Sequence, residues 1–410
     1  MLAQTTMVSI EKTHMSCIPN KSEPLWIIDC DPGCDDAIAL GLAAQELGDA
    51  EVVVLTVAGN VGVELTTWNA CRIMAACNKP WPVFRGCGHS LSGEAVPAAS
   101  VHGRDGLGDV PNNSLPGKIR PPERQSAVEF LLMCAKDGKQ FVLVCTGPLT
   151  NLATALNLMS SSEQHTFWSN CHYCVVMGGA FEVPGNITAG AEFNVHFDPV
   201  ALHIVLESWR EASDVMKLTP IHIVPLDVTE TVGIPLTFAE SGKRSIALRA
   251  DTAFLRAALR KYGLFHAWFC QRPRADFGAG PRFGIVDFVE EEFLNERMAG
   301  KSGLKHLNPF CFLHDPLAVW MALQLVNREN RDNLWVKWQI SVDTHHGPSR
   351  GRISQHRRRV SRDNPSRLPA MGTLVKWLHP RLFTLKAEGF VNRVESLLQI
   401  PQHKSATSIS

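Results

Sequence analysis

The chain has 410 residues, 45% of them hydrophobic, and its 40 Lys and Arg are balanced by 40 Asp and Glu. That length and apolar content support one large α/β domain or two smaller ones. The charge balance excludes a global field that would recruit nucleic acid or an anionic membrane surface, so any partner is met locally.

Residues 1–23 form an N-terminal extension with no sustained apolar run and no small-residue cleavage signature, and no stretch approaches the length of a membrane span. Short β-branched or apolar runs then alternate with helix-like segments. The runs at 25–29, 51–59, 140–147, 174–180 and 220–229 predict buried strands. The segments at 36–47, 64–77, 124–136, 150–159 and 198–209 predict helices. This alternation points to crossover units on a mainly parallel sheet flanked by helices, with ligands bound at the carboxyl ends of the strands. Residues 232–268 read as helical, and 271–305 are irregular and rich in Gly, Pro and charge. The 12 cysteines are scattered through a chain large enough not to need stapling, which predicts reduced thiols and a cytoplasmic location. Cys171 and Cys174 form a C-x-x-C inside a strand-like run with no second cysteine pair at zinc spacing, and read as core.

The most informative stretch is "WIIDCDPGCDDAIAL", where Asp29, Asp31, Asp35 and Asp36 crowd the turn between the first strand and the first helix. Left unneutralised, so much like charge is costly, and a divalent cation removes that cost. All-oxygen ligands without Cys or His suit a hard ion, calcium or magnesium. Asp35 and Asp36 also fall where a helix dipole favours negative charge, and a plain capping role is the expectation for Asp29. An Asp-x-Asp after a strand also begins aspartyl-phosphate chemistry, but the continuation through Pro32-Gly33 to Asp35-Asp36 fits a metal-cradling loop better.

The same segment resembles the metal and ribose loop of the calcium-dependent nucleoside hydrolases, inosine-uridine-preferring type. Further motifs follow in that family's order: "TVAGNVG" (56–62), "VHGRDGLG" (101–108), "CTGPLTNLATAL" (145–156), "VVMGGAF", "GNITAGAEFNVHFDP" (185–199), "PLDVT" (225–229) and "LHDPLAVW" (313–320). The resemblance implies a Rossmann-like α/β domain over residues 24–345 and hydrolysis of the N-glycosidic bond of ribonucleosides to base and ribose. It implies a small-molecule ribonucleoside as partner, no nucleic acid or membrane, and a dimeric or tetrameric homo-oligomer. It also implies that Ca2+ is held by Asp31, Asp36, the backbone carbonyl of Thr146 and Asp315, with Asp31 additionally accepting the proton of a metal-bound water. Asp35, Asn60 and Asn194 would bind ribose hydroxyls, and Asn186 with Glu192 the 5′-hydroxyl end. Glu192 and Asn194, two apart, would share a face in extended backbone. His314 would serve the leaving base as proton donor or polar contact, with His102 stacking on it or hydrogen-bonding to it. The alternative is a non-catalytic nucleoside- or ribose-binding descendant with a disrupted C-terminal region.

Two regions depart from the family pattern. The stretch 259–274 offers Tyr262, Phe265, His266 and Arg272 as base-covering side chains, about forty residues before His314, without a clear match. Where a hydrophobic strand is expected after "WVKWQISVDTHHGPSRG", the chain runs into an arginine-rich stretch, with seven arginines against the single Asp363 between His345 and Arg367. Residues 346–388 therefore read as an atypical, solvated segment, and 389–400 as a closing helix followed by a tail to 410.

Overall fold

The computed structural model describes residues 23–93, 97–109, 117–235, 310–327, 334–356 and 373–378, together with 390, 391, 393 and 394. The chain opens with β1 (Leu25–Cys30), α1 (Cys34–Glu46), β2 (Val52–Thr56), α2 (Val63–Cys77) and β3 (Val83–Arg85). The short α3 (Ala99–His102), α4 (Ala127–Asp137), β4 (Phe141–Cys145), α5 (Thr150–Leu158), α6 (Ser161–Asn170) and β5 (Cys171–Met177) follow. Next come α7 (Phe193–Phe197), α8 (Pro199–Val215), β6 (Ile221–Val224), α9 (Leu226–Thr229), β7 (Gly233–Pro235) and β8 (Phe310–Phe312). The described elements close with α10 (His314–Val326), β9 (Trp335–Val342), β10 (Ile353–His356) and β11 (Thr373–Leu378).

Nine strands form one sheet in the order β10-β9-β11-β6-β5-β4-β1-β2-β3. All neighbours from β11 to β3 are parallel, while β9 runs antiparallel to β11, and β10 antiparallel to β9. Parallel strands covered on both faces need apolar side chains at every position, and β1, β2 and β4 are buried from end to end. Alternate residues feed two cores. Trp26, Ile28 and Cys30 pack with α1, α2 and α10, whereas Leu25 and Ile27 pack with α4, α5, α6 and α8. From β3 to β6 the sequence order is 3-2-1-4-5-6, so the direction of winding reverses between β1 and β4 and leaves a crevice beyond their carboxyl ends.

The mainly parallel α/β sheet matches the expectation, and several local readings are corrected. The run 220–229 is not one strand: after β6 the chain turns into α9, because Pro225 supplies no N–H to a ladder and pre-sets the start of a helix. The run 232–268 begins as strand β7, paired with β8, and its part beyond Pro235 lies outside the described residues. Glu192 and Asn194 are not in extended backbone; Glu192 is the N-cap of α7 and Asn194 lies within that helix. The Cys171–Cys174 pair sits buried in β5 with free thiols, as core. No described helix is long and apolar enough to cross a membrane.

The sheet also runs on past residue 345. β11 lies between β9 and β6, with Trp377 fully buried, and Phe390 and Val394 are buried in the core on the α1/α10 side. Each buried apolar side chain of this size contributes roughly 2 kcal/mol, and Val375, Trp377, Leu378, Phe390 and Val394 together rival the net stability of a domain, about 5–15 kcal/mol. Deleting residues 346–410 is therefore expected to abolish soluble, cooperatively folding protein. A truncation recovered in soluble form with a wild-type urea midpoint would contradict this.

Candidate active site

β1 ends in a stretch whose next residues must leave the sheet, and Pro32-Gly33 turn the chain into α1 with Gly33 as N-cap. Asp36, at the third helical position, reaches back so that its Oδ2 accepts from Gly33 N–H at 2.8 Å, a cap made from the carboxylate side alone because glycine offers no side-chain acceptor. The same carboxylate accepts from Thr146 Oγ1 at 2.9 Å and from Asn60 Nδ2 at 3.3 Å, which ties the ends of β1, β2 and β4 together. Asp31 Oδ2 accepts from the backbone N–H of Asn60 at 2.8 Å, and Asn60 Nδ2 donates to Asp31 O at 3.0 Å. Two glycines make room for this carboxylate: a Cβ at Gly59 would stand 2.0 Å from Asp31 Oδ2, and one at Gly147 would stand 2.8 Å from Oδ1.

Asp29 does not cap a helix. It lies in β1 on the α5 side of the sheet, where Asn151 Nδ2 donates to it at 2.8 Å, and burial pushes its carboxyl up to about 7. The capping duty falls to Asp36 instead, whose carboxylate reaches back to the free Gly33 N–H in the first turn of α1.

Asp31, Asp35, Asn60, His102, Thr146, Asn186, Glu192, Asn194, His314 and Asp315 all line one cleft at the carboxyl ends of the strands. Asp36 is completely buried beside it. Carboxylate oxygens of Asp35, Asp36 and Asp315 lie within 4.8 Å of one another, so the tightest described trio contains Asp35, whereas the sequence assignment had Asp31 with Asp36 and Asp315. Burial and then the neighbouring charge of Asp36 hold the Asp31 carboxyl well above its ordinary range. Asp35 rises to about 7 for the same two reasons. Asp315 is pushed well up by burial and by Asp35, Asp36 and Asp31. Asp35 Oδ1 is buried with no hydrogen-bond partner among the described residues. Buried, mutually repelling acids with all-oxygen donors fit a hard cation, which would supply the missing positive charge, while Asp35 Oδ1 stays open to a further hydrogen-bond donor.

The remaining groups have definite partners. His102 Nδ1 accepts from Cys34 N–H at 3.1 Å, so its proton resides on Nε2, and burial lowers its pKa to about 3. His314 Nδ1 lies 2.6 Å from Thr229 Oγ1, and burial lowers this imidazole to about 3 as well. Both histidines are neutral at neutral pH. Asn194 Nδ2 donates to Thr146 O at 2.8 Å, and Asn186 Oδ1 accepts from Phe193 N–H at 2.9 Å. The Glu192 carboxylate accepts from the N–H groups of Gly179, Asn194 and Val195, all within 3.1 Å. Sequence reasoning overlooked Met177, Phe193, Ala98 and Val101 as apolar walls of the cleft, and Thr229 as the support of His314. Met177 closes β5 inside "VVMGGAF", so a strand-end rule would have found it, whereas Thr229 ends the helix α9 and carries no such signal. The base-covering candidates in 259–274 lie outside the described residues.

A doubly wound α/β fold with a buried cluster of acids, amides and neutral histidines at its switch point defines a class: open-sheet α/β domains whose strand-end crevice takes a small ligand, here with carboxylates that could hold a metal ion. The model of the inosine-uridine preferring nucleoside hydrolase family matches residues 26–375, and the chain belongs to that family. Among curated relatives, the pyrimidine-specific ribonucleoside hydrolase RihA of Salmonella dublin is 39% identical over 220 residues, 52% of this chain and 67% of that protein. The RihA of Shewanella baltica is 41% identical over 210 residues, 51% and 60% of the two chains. An uncharacterized protein of Schizosaccharomyces pombe, C1683.06c, is 38% identical over 207 residues, 50% and 61%. The matched region thus spans about three fifths to two thirds of these relatives' length. The fold is also that of a plant nucleoside hydrolase, PpNRh1, with a TM-score of 0.67 at 24% identity over 92% of this chain and 99% of the other. The purine-preferring ribonucleoside hydrolase from Gardnerella vaginalis gives a TM-score of 0.62 at 24% identity over 92% and 100%.

Proposed function

We propose that the protein hydrolyses the N-glycosidic bond of ribonucleosides, releasing free base and ribose. The observation that carries this reading is the convergence of Asp31, Asp35, Asp36 and Asp315 with the amides of Asn60, Asn186 and Asn194 in one cleft at the strand ends. Calcium is the ion we assign, held by Asp31, Asp36, Asp315 and the carbonyl of Thr146, because every donor is an oxygen and all three acids are buried. When bound, it would make a water easier to deprotonate and neutralise the acidic cluster.

The protein's own groups divide the remaining work. Asp31, whose position the Asn60 N–H fixes, accepts a proton from the attacking water as its oxygen bonds to the anomeric carbon. The C–N bond breaks with its electron pair passing to the base. Asp35, with its open Oδ1, accepts from a ribose hydroxyl, as do the side-chain oxygens of Asn60 and Asn194, whose amide nitrogens are already committed. Asn186 and Glu192 flank the 5′-hydroxyl end. His314 and His102, being neutral, act on the leaving base as hydrogen-bond donors and not as imidazolium acids, so the positive charge of a protonated ring plays no part. Nine described cysteines are free, which supports a reducing, cytoplasmic setting.

The test is to incubate the purified full chain with inosine, uridine and a phosphate monoester, with calcium or with chelator. Free base from a nucleoside in calcium is the expected result. Nucleoside binding without any product would identify a binding descendant, and inorganic phosphate alone would identify phosphatase chemistry; either overturns the proposal.

A further inference from the structure

The loop between β9 and β10, residues 343–352, carries none of the site motifs, yet it closes on the helix that supports the substrate cleft. Arg350, 5% exposed, donates from Nε to His196 O at 3.2 Å and from Nη2 to Phe197 O at 3.4 Å. These are the last two carbonyls of α7, which no intrahelical N–H can satisfy, and they form the negative end of its dipole. Gly351 brings the loop backbone into contact there. Its φ is +74°, and an added Cβ would stand 2.7 Å from His196 Cα. The loop is itself anchored at the root of the hairpin by Gly351 N–H to Asp343 O at 2.8 Å and Asp343 N–H to Arg352 O at 3.0 Å.

A helix of five residues is too short to hold its own shape, so α7 depends on what grips its two ends. Glu192 grips the first end through the N–H groups of Asn194 and Val195. Arg350 grips the last. Between the two lies Asn194, whose amide must stay 2.8 Å from Thr146 O to leave its oxygen turned to the cleft. We propose that Arg350 is a positioning residue for the substrate cleft, fastening α7 from outside so that Asn194 and Glu192 keep their places. This rests on the nucleoside hydrolase reading for its kinetic consequence, but not for its structural one.

The planar guanidinium matters here, because its rigid fork aims Nε and Nη2 at two successive carbonyls at once, whereas the donors of an ammonium cluster on one atom without that fixed geometry. The full-length chain is therefore examined as Arg350→Ala and Arg350→Lys, by steady-state kinetics with inosine and uridine and by amide hydrogen exchange. In Arg350→Ala, KM is expected to rise roughly tenfold, the scale of losing an outer support of a site, with a smaller change in kcat. Exchange should accelerate across 193–197 and stay unchanged in β4. Added methylguanidinium should restore part of the KM, and Arg350→Lys should fall between wild type and Ala. Unaltered KM and exchange at 193–197 overturn the proposal. So does exchange that accelerates equally in α7 and β4, since that marks a general brace of the fold. If Arg350→Ala does not accumulate folded, the same two readouts on Arg350→Lys decide, and wild-type values in both overturn it. Should the wild-type chain release no base, the proposed function fails, and hydrogen exchange at 193–197 still decides the role of Arg350.

Discussion

Replacing Asp31 by Asn is expected to lower kcat for nucleoside hydrolysis by about four orders of magnitude. The estimate combines loss of the group that accepts the water's proton with loss of a metal-ligating carboxylate, each worth about a hundredfold or more. The substitution is close to isosteric, which the site requires, since Gly59 and Gly147 leave space for a planar group of this size and no larger. The Asn oxygen can still accept from Asn60 N–H, so the loop should keep its shape. Stability is expected to move the opposite way. Burial and Asp36 make a charged Asp31 costly, and a neutral amide relieves that cost, so the calcium-free variant should melt higher than the calcium-free wild type at pH 8. A kcat within tenfold of wild type would exclude Asp31 as the base, and a lower melting temperature would show that its charge is compensated within the protein.

Removal of calcium should reduce activity about a thousandfold or more, because several kcal/mol of charge stabilisation and water activation depart with the ion. Its effect on stability should depend on pH. In the metal-free protein Asp29 and Asp35 are raised from 3.8 to about 7, and burial with neighbouring carboxylates also holds Asp31 and Asp315 well above the ordinary carboxylate range. Folded-state values above the unfolded ones mean that the native state holds protons which the unfolded chain has released. The stability this provides is fully present below about pH 4 and is lost as pH rises through 7. The chelated protein should thus melt lower at pH 8 than at pH 5. Calcium competes with those protons, so its stabilising effect should grow with pH and reach about 2.7 kcal/mol at a hundredfold excess over its Kd. Thermal melts at both pH values, with calcium and with chelator, measure this. A calcium-induced shift of equal size at pH 5 and pH 8 would mean that the acids are already ionised and compensated without the ion.

The sequence by itself determined the parallel α/β architecture and most of the site's membership. Continuous apolar runs such as "LWIID" and "QFVLVC", too short for helices and alternating with helix-like segments, read as strands buried on both faces, and the motifs that follow strand ends carry Asp31, Asn60, Thr146 and Asp315. Such features are local: strand period, glycine turns and a carboxylate-rich loop are written in neighbouring residues. Only the tertiary structure decided how those residues share the work. Asp29 and Asp31 are two positions apart, yet one faces Asn151 across a core while the other lies in the cleft, because the strand ends between them. Glu192 and Asn194 were expected on a common extended face, but the carboxylate instead caps a helix whose other end meets Arg350, far along the chain. Neither the pairing of His314 with Thr229, 85 residues away, nor that of Arg350 with His196, 154 away, leaves any periodic trace in the chain. Strand β11 was hidden for the same reason: it follows an arginine-rich stretch and gains its place from the open edges of β6 and β9. Contacts of this kind are fixed by where the sheet brings distant segments, and long-range packing outweighs local propensity wherever a buried edge or an unpaired carbonyl has to be satisfied.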